Sequence, residues 1–253
     1  MRWDGFRKVR RQVHKRIDRR LEELGLDRIG DYRSYLVEHP EEWAVLDRLT
    51  SISISRFYRD RAVFDRLRDD VLPRLARDAR DLNAHHVRCW CIGCASGEEP
   101  YTLAILWDHH VQPVFPNIRL EVLATDRDPH MLERAHRASY PASSLKDAPA
   151  SWRSSAFDDL DGQYVLRPKF RQVVRFRQQD IRWELPDARF PLALCRNLVF
   201  TYFADDLQRK VLRGIAERMV PGGFLVIGKK EALREGHERF RPYEARMGIY
   251  RLR

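Results

Sequence analysis

Apolar and polar residues follow one another along most of this chain in blocks that predict strands and helices in turn. Short β-prone runs are expected to form buried strands, and apolar positions at helical spacing are expected to form the helices between them. The strands are predicted over 86–92, 120–126, 173–177, 192–195 and 224–227, and the helices over 102–107, 131–138 and 207–219. This alternation is typical of a doubly wound, mostly parallel α/β sheet.

The start of the chain has a different pattern. From Phe6 to Leu24, apolar residues recur along one helical stripe, and Gly25 is the predicted end of that helix. Residues 141–170 are irregular and rich in proline and serine. The predicted organisation is a helical domain over 1–62, a linking helix over 63–80, and an α/β domain over 81–253 that carries an insertion over 141–170.

Positive charge is concentrated in the first helix. The formal net charge is +10, and residues 1–20 contain nine Arg or Lys against Asp4 and Asp18. Such a face predicts an acidic partner, although charge alone does not separate an acidic protein from nucleic acid. A solvated basic face with no partner is the alternative.

The cysteines and the absence of a targeting segment bear on location. The chain has four cysteines, no signal peptide and no long apolar run, which predicts a cytoplasmic protein without membrane insertion. Cys89, Cys91 and Cys94 are close in sequence, and Cys195 could join them. Their spacing lacks the paired knuckles of zinc sites, so core packing is favoured over zinc or an iron-sulfur cluster, and no metal is expected.

The segment with the clearest chemistry is the turn after the first strand. Gly93 and Gly97 would let the backbone approach a ligand, and Glu98 and Glu99 would repel a pyrophosphate there but suit a positively charged ligand. Asp126 ends the next strand, where an acid can accept hydrogen bonds from both ribose hydroxyls of an adenosine. A tight turn with nothing bound is the alternative for the glycines, and capping of the helix near Pro129 is the alternative for Asp126.

Five ordered motifs then resemble one family. Residues 93–104, GCASGEEPYTLA, resemble the GCSTGEEPYSLA motif of the CheR-type methyltransferases, which methylate glutamate side chains of bacterial chemotaxis receptors. The other four similar segments, spread in the family's order over nearly the whole chain, are 54–60, 124–128, 195–203, and 221–228 with Glu231 after it.

The resemblance implies a Rossmann-like class I methyltransferase sheet preceded by a small all-helical domain. It implies S-adenosylmethionine as the cofactor, with S-adenosylhomocysteine as the product. It also places a small antiparallel subdomain at 141–170, which is short in this chain. The expected substrate is an acidic protein, such as a chemoreceptor-like helical bundle, and the enzyme is expected to be a monomer.

The resemblance also implies roles for individual residues. Arg59 and Tyr202 are the expected catalytic residues beside the transferring methyl group. The expected cofactor-binding residues are Ser53, Ser55, Arg59, Gly93, Glu99, Asp126, Asp180, Ile181, Arg196 and Asn197. The expected substrate-binding residues, on the basic helix, are Arg10, Arg11, Lys15, Arg16, Arg19 and Arg20. For Arg59, a surface ion pair with Asp60 or Asp65 is the alternative.

The chain departs from the family pattern near the acceptor site. The segment from Arg196 to Phe203 is one residue longer than the family's, so the direction of Tyr202 is open. Lys229 and Lys230 precede Glu231 where small or polar residues are usual, which favours an acidic acceptor.

The predicted function is a methyl transfer from S-adenosylmethionine to glutamate carboxylates. A glutamate side chain, with an ordinary pKa of about 4.3, is already ionised at neutral pH, so no general base is needed. Two alternatives stay open. One is a methyltransferase of the same fold that acts on a small molecule or a nucleic acid, and the other is a non-catalytic module that senses S-adenosylmethionine or docks on a receptor.

Overall fold

A computed structural model of the protein describes residues 10–50, 55–233 and 237–253. The chain divides into two compact units, Met1–Ile54 and Ser55–Arg253. The predicted boundary at residue 62 differs from this division because Phe57 and Tyr58 are fully buried in the core of the second unit. Among the described helices, none has the length and apolar character needed to cross a membrane.

The first unit is helical, as the sequence predicts. Its helices are α1 (Arg10–Leu24), α2 (Ile29–Glu38) and α3 (Glu42–Thr50). Gly25 follows α1 in the left-handed conformation, with a φ of 67°, and Leu26 donates a backbone hydrogen bond to Leu21, so the glycine ends the helix. Leu21, Tyr32 and Leu36 form the small core.

A buried carboxylate joins the helices of this first unit. Glu42 accepts hydrogen bonds from the Arg20 guanidinium at 2.9 and 2.7 Å and from the Tyr32 hydroxyl at 2.8 Å. Burial, together with the hydrogen bond to Glu42, raises the pKa of Tyr32. This network ties α1, α2 and α3 together, because each helix contributes one of its three side chains.

The second unit begins with one long helix and continues as alternating strands and helices. Its helix consists of α4 (Arg61–Arg66), a π-helical turn over Leu67–Val71, and α5 (Leu72–Asp81), which agrees with the predicted linking helix. The further helices are α6 (Glu98–Leu106), α7 (Pro129–Arg137), α8 (Trp152–Ala156), α9 (Pro168–Arg171), α10 (Val199–Tyr202) and α11 (Asp205–Glu217). The strands are β1 (His86–Ile92), β2 (Arg119–Asp126), β3 (Ser139–Pro141), β4 (Phe157–Leu160), β5 (Gln163–Leu166), β6 (Val174–Gln178), β7 (Phe190–Cys195), β8 (Met219–Ile227), β9 (Phe240–Glu244) and β10 (Ile249–Leu252).

Seven of these strands form the main sheet, in the order β6-β2-β1-β7-β8-β10-β9. The first five are parallel, and β10 pairs antiparallel with both β8 and β9. The doubly wound α/β sheet predicted from the sequence is confirmed. Strands β3, β5 and β4 form a separate antiparallel sheet, so an antiparallel subdomain occupies the region where the sequence is irregular.

The strand order determines where a ligand can bind. Chain order reverses beside β1, because β2 lies on one side of it and β7 on the other. In open α/β sheets, ligands bind at the carboxyl ends of the strands at such a switch point. The segments after β1, β2 and β7 meet at this edge, and they contain most of the residues that the sequence predicts for the site.

Candidate functional site

The turn between β1 and α6 is held against the end of β2. Gly93 and Cys94 both donate backbone hydrogen bonds to the Thr125 carbonyl, at 2.8 and 3.0 Å. Gly97 precedes α6 with a φ of 90°, and a Cβ there would lie 3.0 Å from the Ala135 side chain. A Cβ on Gly93 would lie 2.5 Å from the Leu198 side chain. Both glycines are therefore needed for the turn itself, whether or not a ligand binds there.

Asp126, at the end of β2, faces this turn. Its carboxylate accepts hydrogen bonds from the Ala95 amide at 2.8 Å and from the Asp128 amide at 2.9 Å. The cap of α7 is a different residue, since the Asp128 side chain accepts from the His130 amide. Burial raises the pKa of Asp126, and the two backbone hydrogen bonds counteract it. Asp126 is thus available to a ligand at the switch point, since each carboxylate oxygen has a further acceptor position.

The two acids that begin α6 have different partners. Glu98 is buried and accepts hydrogen bonds from the Ser96 hydroxyl at 3.1 and 2.9 Å. Glu99 accepts a hydrogen bond from Arg196 at 2.9 Å, which joins α6 to the segment after β7. Burial raises the pKa of Glu99, and Arg196 counteracts that rise. Arg196 donates to Glu99 Oε2, so Oε1 offers an acceptor for a cationic ligand.

Arg59 lies in a short loop with an uncommon backbone conformation. Its neighbours Tyr58 and Asp60 have φ values of 59° and 62°, a region that residues other than glycine rarely adopt. The Tyr58 amide donates to the Thr102 hydroxyl at 3.1 Å, which ties this loop to α6. The Arg59 guanidinium donates to Asn197 Oδ1 at 3.3 Å, and burial lowers its pKa. Arg59 therefore lies at the carboxyl edge of the sheet.

Arg196 is hydrogen-bonded to that loop through its side chain. Its side chain is 2% exposed, and its Nη atoms donate to Glu99, to Asp60 at 2.7 Å and to the Arg59 carbonyl at 2.9 Å. Its guanidinium also lies 4.9 Å from the centre of the Phe64 ring. Both Nη atoms of Arg196 donate to the protein, and the prediction that Arg196 also binds the cofactor stays a prediction. We expect it to position Arg59 and Glu99.

The segment after β7 is held by a carboxylate that sequence reasoning did not assign to the site. Glu231 accepts hydrogen bonds from the Asn197 amide at 2.9 Å, the Gly228 amide at 2.6 Å and the Thr201 hydroxyl at 2.5 Å. Burial raises the pKa of Glu231, and these hydrogen bonds counteract it. A lone acid just after the last parallel strand was the signal that could have identified it.

Tyr202 remains at the site despite the extra residue before it. It is partly buried at the end of α10. Burial raises its pKa, and the charges of Arg59, which lowers it, and Glu231, which raises it, both act on the phenol. The charges of both side chains therefore influence the Tyr202 phenol, and its role as a catalytic residue stays a prediction.

Asp180 and Ile181 follow β6 and lie beside the end of β2. The backbone amide of Gln179 donates to the Asp126 carbonyl at 2.9 Å, which positions this segment. Burial would raise the pKa of Asp180, but hydrogen bonds from Arg182 lower it. Ile181 is buried in the core on one face of the sheet. Asp180 therefore borders the site, and its carboxylate is paired with Arg182.

The two serines fall at the start of the second unit. Ser55 is partly buried and precedes the Arg59 loop. Ser53 lies outside the described residues.

The predicted basic face is smaller in the structure than in the sequence. On α1, Arg10, Arg11, Lys15 and Arg19 are exposed. Arg20 is paired with Glu42 and with Glu23 at 2.9 Å, so it holds the helices together, and its predicted contact with substrate stays a prediction. Arg16 is exposed and donates to the Leu49 carbonyl at 3.3 Å.

The four cysteines are buried and not disulfide-bonded. Cys89 and Cys91 pack on one side of the sheet, and Cys195 packs on the other. Burial raises the pKa of each of the four thiols. Over the described residues, no group of three or more His, Cys, Asp or Glu side chains is placed to bind a metal ion.

The charges at the sheet edge fit a cationic, adenosine-containing ligand. Arg59 and Arg196 interact with the carboxylates of Asp60, Glu99 and Glu231. Asp126 ends β2 at the same edge, so among these six side chains negative charge is in excess when all are ionised. S-adenosylmethionine carries a sulfonium and an ammonium group, which this excess would attract, and ribose hydroxyls, which Asp126 could bind. The carboxylates at this edge therefore suit S-adenosylmethionine.

A parallel sheet with a glycine turn after its first strand and an acid after its second defines a Rossmann-like domain for a nucleoside cofactor. The chain belongs to the CheR methyltransferase family: the family's "SAM binding domain" matches residues 53–249, and its "all-alpha domain" matches residues 8–50. It is accordingly a methyltransferase that uses S-adenosylmethionine.

Similar proteins agree with this assignment. A "Chemotaxis protein methyltransferase" of Listeria monocytogenes is 34% identical over 185 residues, which cover 73% of this chain and 67% of that protein. A "Probable chemotaxis protein methyltransferase" of Rhizobium etli is 29% identical and covers 87% of this chain and 83% of its own. An uncharacterised 104.1 kDa protein of Rhodobacter capsulatus is 32% identical to this chain. The match covers 94% of this chain but only 25% of that protein.

Proposed function

We propose that this enzyme methylates glutamate side chains on an acidic, helical protein of the chemoreceptor type, in the cytoplasm. The observation that carries the proposal is the position of Arg59, whose guanidinium lies at the same sheet edge as Asn197 and Tyr202. A half-buried cation at that place suits an acceptor that is itself an anion. The chemotaxis methyltransferases to which the chain is similar support the same substrate class.

The proposed step needs no proton transfer. Bound S-adenosylmethionine supplies a methyl group on a sulfonium; the acceptor carboxylate oxygen bonds to that carbon as the carbon–sulfur bond breaks, leaving a neutral ester and a neutral thioether. The task of the chain is to align the acceptor and to exclude water. In the proposed site, Arg59 and Tyr202 are the polar groups nearest the acceptor.

We assign three roles to the residues at the edge. Asp126 binds the ribose hydroxyls, and Glu99 lies near the cationic end of the cofactor, where the hydrogen bond from Arg196 counteracts the rise that burial causes in its pKa. Arg59 holds the acceptor carboxylate against the methyl group. Tyr202 contacts the same place from α10.

The exposed cations of α1 are proposed to meet the acidic substrate. Arg10, Arg11, Lys15 and Arg19 present positive charge to solvent. Long-range attraction of this kind raises the rate of encounter more than the final affinity, and salt weakens it. Arg20 is not among these exposed cations, because Glu42 and Glu23 bind it.

The test is transfer of a radiolabelled methyl group from S-adenosylmethionine to the cytoplasmic fragment of a chemoreceptor. The matched control is the same fragment with its methylatable Glu residues replaced by Gln. We expect label only on the Glu form, and release of that label as methanol in mild alkali. Alkali-stable label would favour another acceptor, and cofactor binding without transfer to any acceptor would favour a non-catalytic module.

A further inference from the structure

The segment after β7, which is one residue longer than the family pattern, contains a hydroxyl group with a specific partner. Thr201 belongs to the lengthened segment between Arg196 and Phe203, and its hydroxyl donates to Glu231 Oε1 at 2.5 Å. The other oxygen, Oε2, accepts from the Asn197 and Gly228 amides. One carboxylate thus joins the ends of two neighbouring strands to the short helix α10, which ends in Tyr202.

The donors to Glu231 are all neutral. Two backbone amides and one hydroxyl bind it, and within the described residues no ion pair involves this side chain. Neutral donors offset the cost of burying a carboxylate less than a guanidinium does. What the Glu231 carboxylate provides here is its geometry, because its two oxygens can accept from three donors at once.

Asn197, which the Glu231 carboxylate positions, faces Arg59. Asn197 has a φ of 55°, uncommon for a residue other than glycine, and its backbone amide is bound by Glu231 while its Oδ1 accepts from Arg59. Tyr202 directly follows Thr201, and the charges of both Arg59 and Glu231 act on its phenol. The Thr201 hydrogen bond therefore ties α10, and with it Tyr202, to the carboxylate that also binds the Asn197 amide.

We infer that Thr201 and Glu231 form a latch that sets Tyr202 and Asn197 against Arg59, and that both are positioning residues for methyl transfer. The inference rests on the proposed function for its effect on rate. The latch itself is a property of the free enzyme. Within this inference Asn197, which the resemblance places among the cofactor-binding residues, acts through its hydrogen bond to Arg59, whereas Asp126 and Glu99, the residues assigned to the cofactor, lie outside the latch.

The test compares Thr201→Val, which keeps the shape of the side chain but removes the hydroxyl, with Thr201→Ser, which keeps the hydroxyl. We expect Thr201→Val to lower kcat by about 10- to 100-fold, the scale expected for a small misplacement of reacting groups, with the Kd for S-adenosylhomocysteine unchanged. Thr201→Ser should restore kcat to within a few-fold of wild type. Wild-type kcat in Thr201→Val would overturn the inference.

A second readout needs no acceptor. Hydrogen exchange of the backbone amides over 197–203 should be faster in Thr201→Val than in wild type and close to wild type in Thr201→Ser. Equal protection in all three proteins would overturn the latch even if the wild type methylates its substrate. Faster exchange in Thr201→Val, alongside a wild type that methylates no chemoreceptor fragment, would support the latch and count against the proposed function alone.

Discussion

Arg196 donates a 2.9 Å hydrogen bond to Glu99, and this buried ion pair joins the segment after β7 to the first turn of α6. The same guanidinium binds Asp60 and the carbonyl of Arg59. A single side chain thereby holds both the acid expected near the cofactor and the loop that carries the expected catalytic cation.

Removing this guanidinium should be costly. We expect Arg196→Met to lower the free energy of unfolding by about 3–5 kcal/mol, because Glu99 and Asp60 would lose their buried partner. Urea denaturation followed by circular dichroism measures the change. Arg167→Met is the matched control: its partner is Asp158, the two side chains are 40% and 55% exposed, and such surface pairs contribute at most about 1 kcal/mol. Equal losses in the two variants would contradict the role given to Arg196.

Cofactor affinity should depend on pH because two acids at the site have raised pKa values. Burial raises the pKa of Glu99 and Asp126, so both take up a proton at a higher pH than an ordinary carboxyl group. Calorimetric titration of S-adenosylmethionine from pH 7 down to pH 5 should show progressively weaker binding. Constant affinity over this range would mean that neither carboxylate needs to be charged for binding.

The raised pKa values of these buried acids should make the cofactor-free protein more stable at low pH, where cofactor binding is weaker. A carboxyl group whose pKa is higher in the folded state contributes stability below its unfolded pKa, and that contribution is lost as the pH rises through the folded value. Glu99, Asp126 and Glu231 all belong to this class. Bound S-adenosylmethionine should compensate at neutral pH, so its stabilising effect on the melting temperature should be larger at pH 7 than at pH 5.

The exposed cations of α1 should govern the rate of substrate encounter. We expect the double variant Lys15→Glu with Arg19→Glu to slow methylation of an acidic receptor fragment by about tenfold at low salt, and by less as salt is added. The control is Arg33→Glu, which reverses an exposed charge on α2. The Kd for S-adenosylhomocysteine should not change in either protein. A rate that falls equally in the control would show that only net charge matters.

The thiols should be unreactive in the folded protein. All four cysteines are buried, and burial raises their pKa values, so the reactive thiolate form is scarce. Ellman's reagent should label about four thiols per chain only after denaturation. Rapid labelling of the native protein would contradict the packing of β1 described above.

Periodicity predicted the elements that build the site, while long-range contacts could not be predicted from it. The strands that end at Ile92 and Asp126 have strong apolar patterns and clear turn signals, so their position was predictable. The fold that brings Arg196 against Glu99 joins residues nearly a hundred positions apart, and no local pattern encodes that pairing. Strands β9 and β10 are short, and the sequence analysis did not predict them.

Burial also separated residues of the same type. Arg19 and Arg20 are neighbours on one basic helix, yet only Arg20 reaches the buried carboxylate of Glu42. Asp126 and Asp128 belong to one motif, but Asp128 caps α7 and Asp126 holds the turn after β1. In each pair the difference depends on which neighbouring element the side chain faces, and that is a property of the folded chain.

The most direct test of this account is calorimetric titration of S-adenosylmethionine into wild type, Asp126→Asn and Asp128→Asn. Both substitutions keep the side-chain shape and remove one negative charge, and Asn caps a helix as well as Asp does. We expect binding to weaken by about 1–3 kcal/mol in Asp126→Asn, because the ribose contact is lost, and to be unchanged in Asp128→Asn. Failure of the wild type to bind, or equal affinity in all three proteins, would contradict the cofactor site described here.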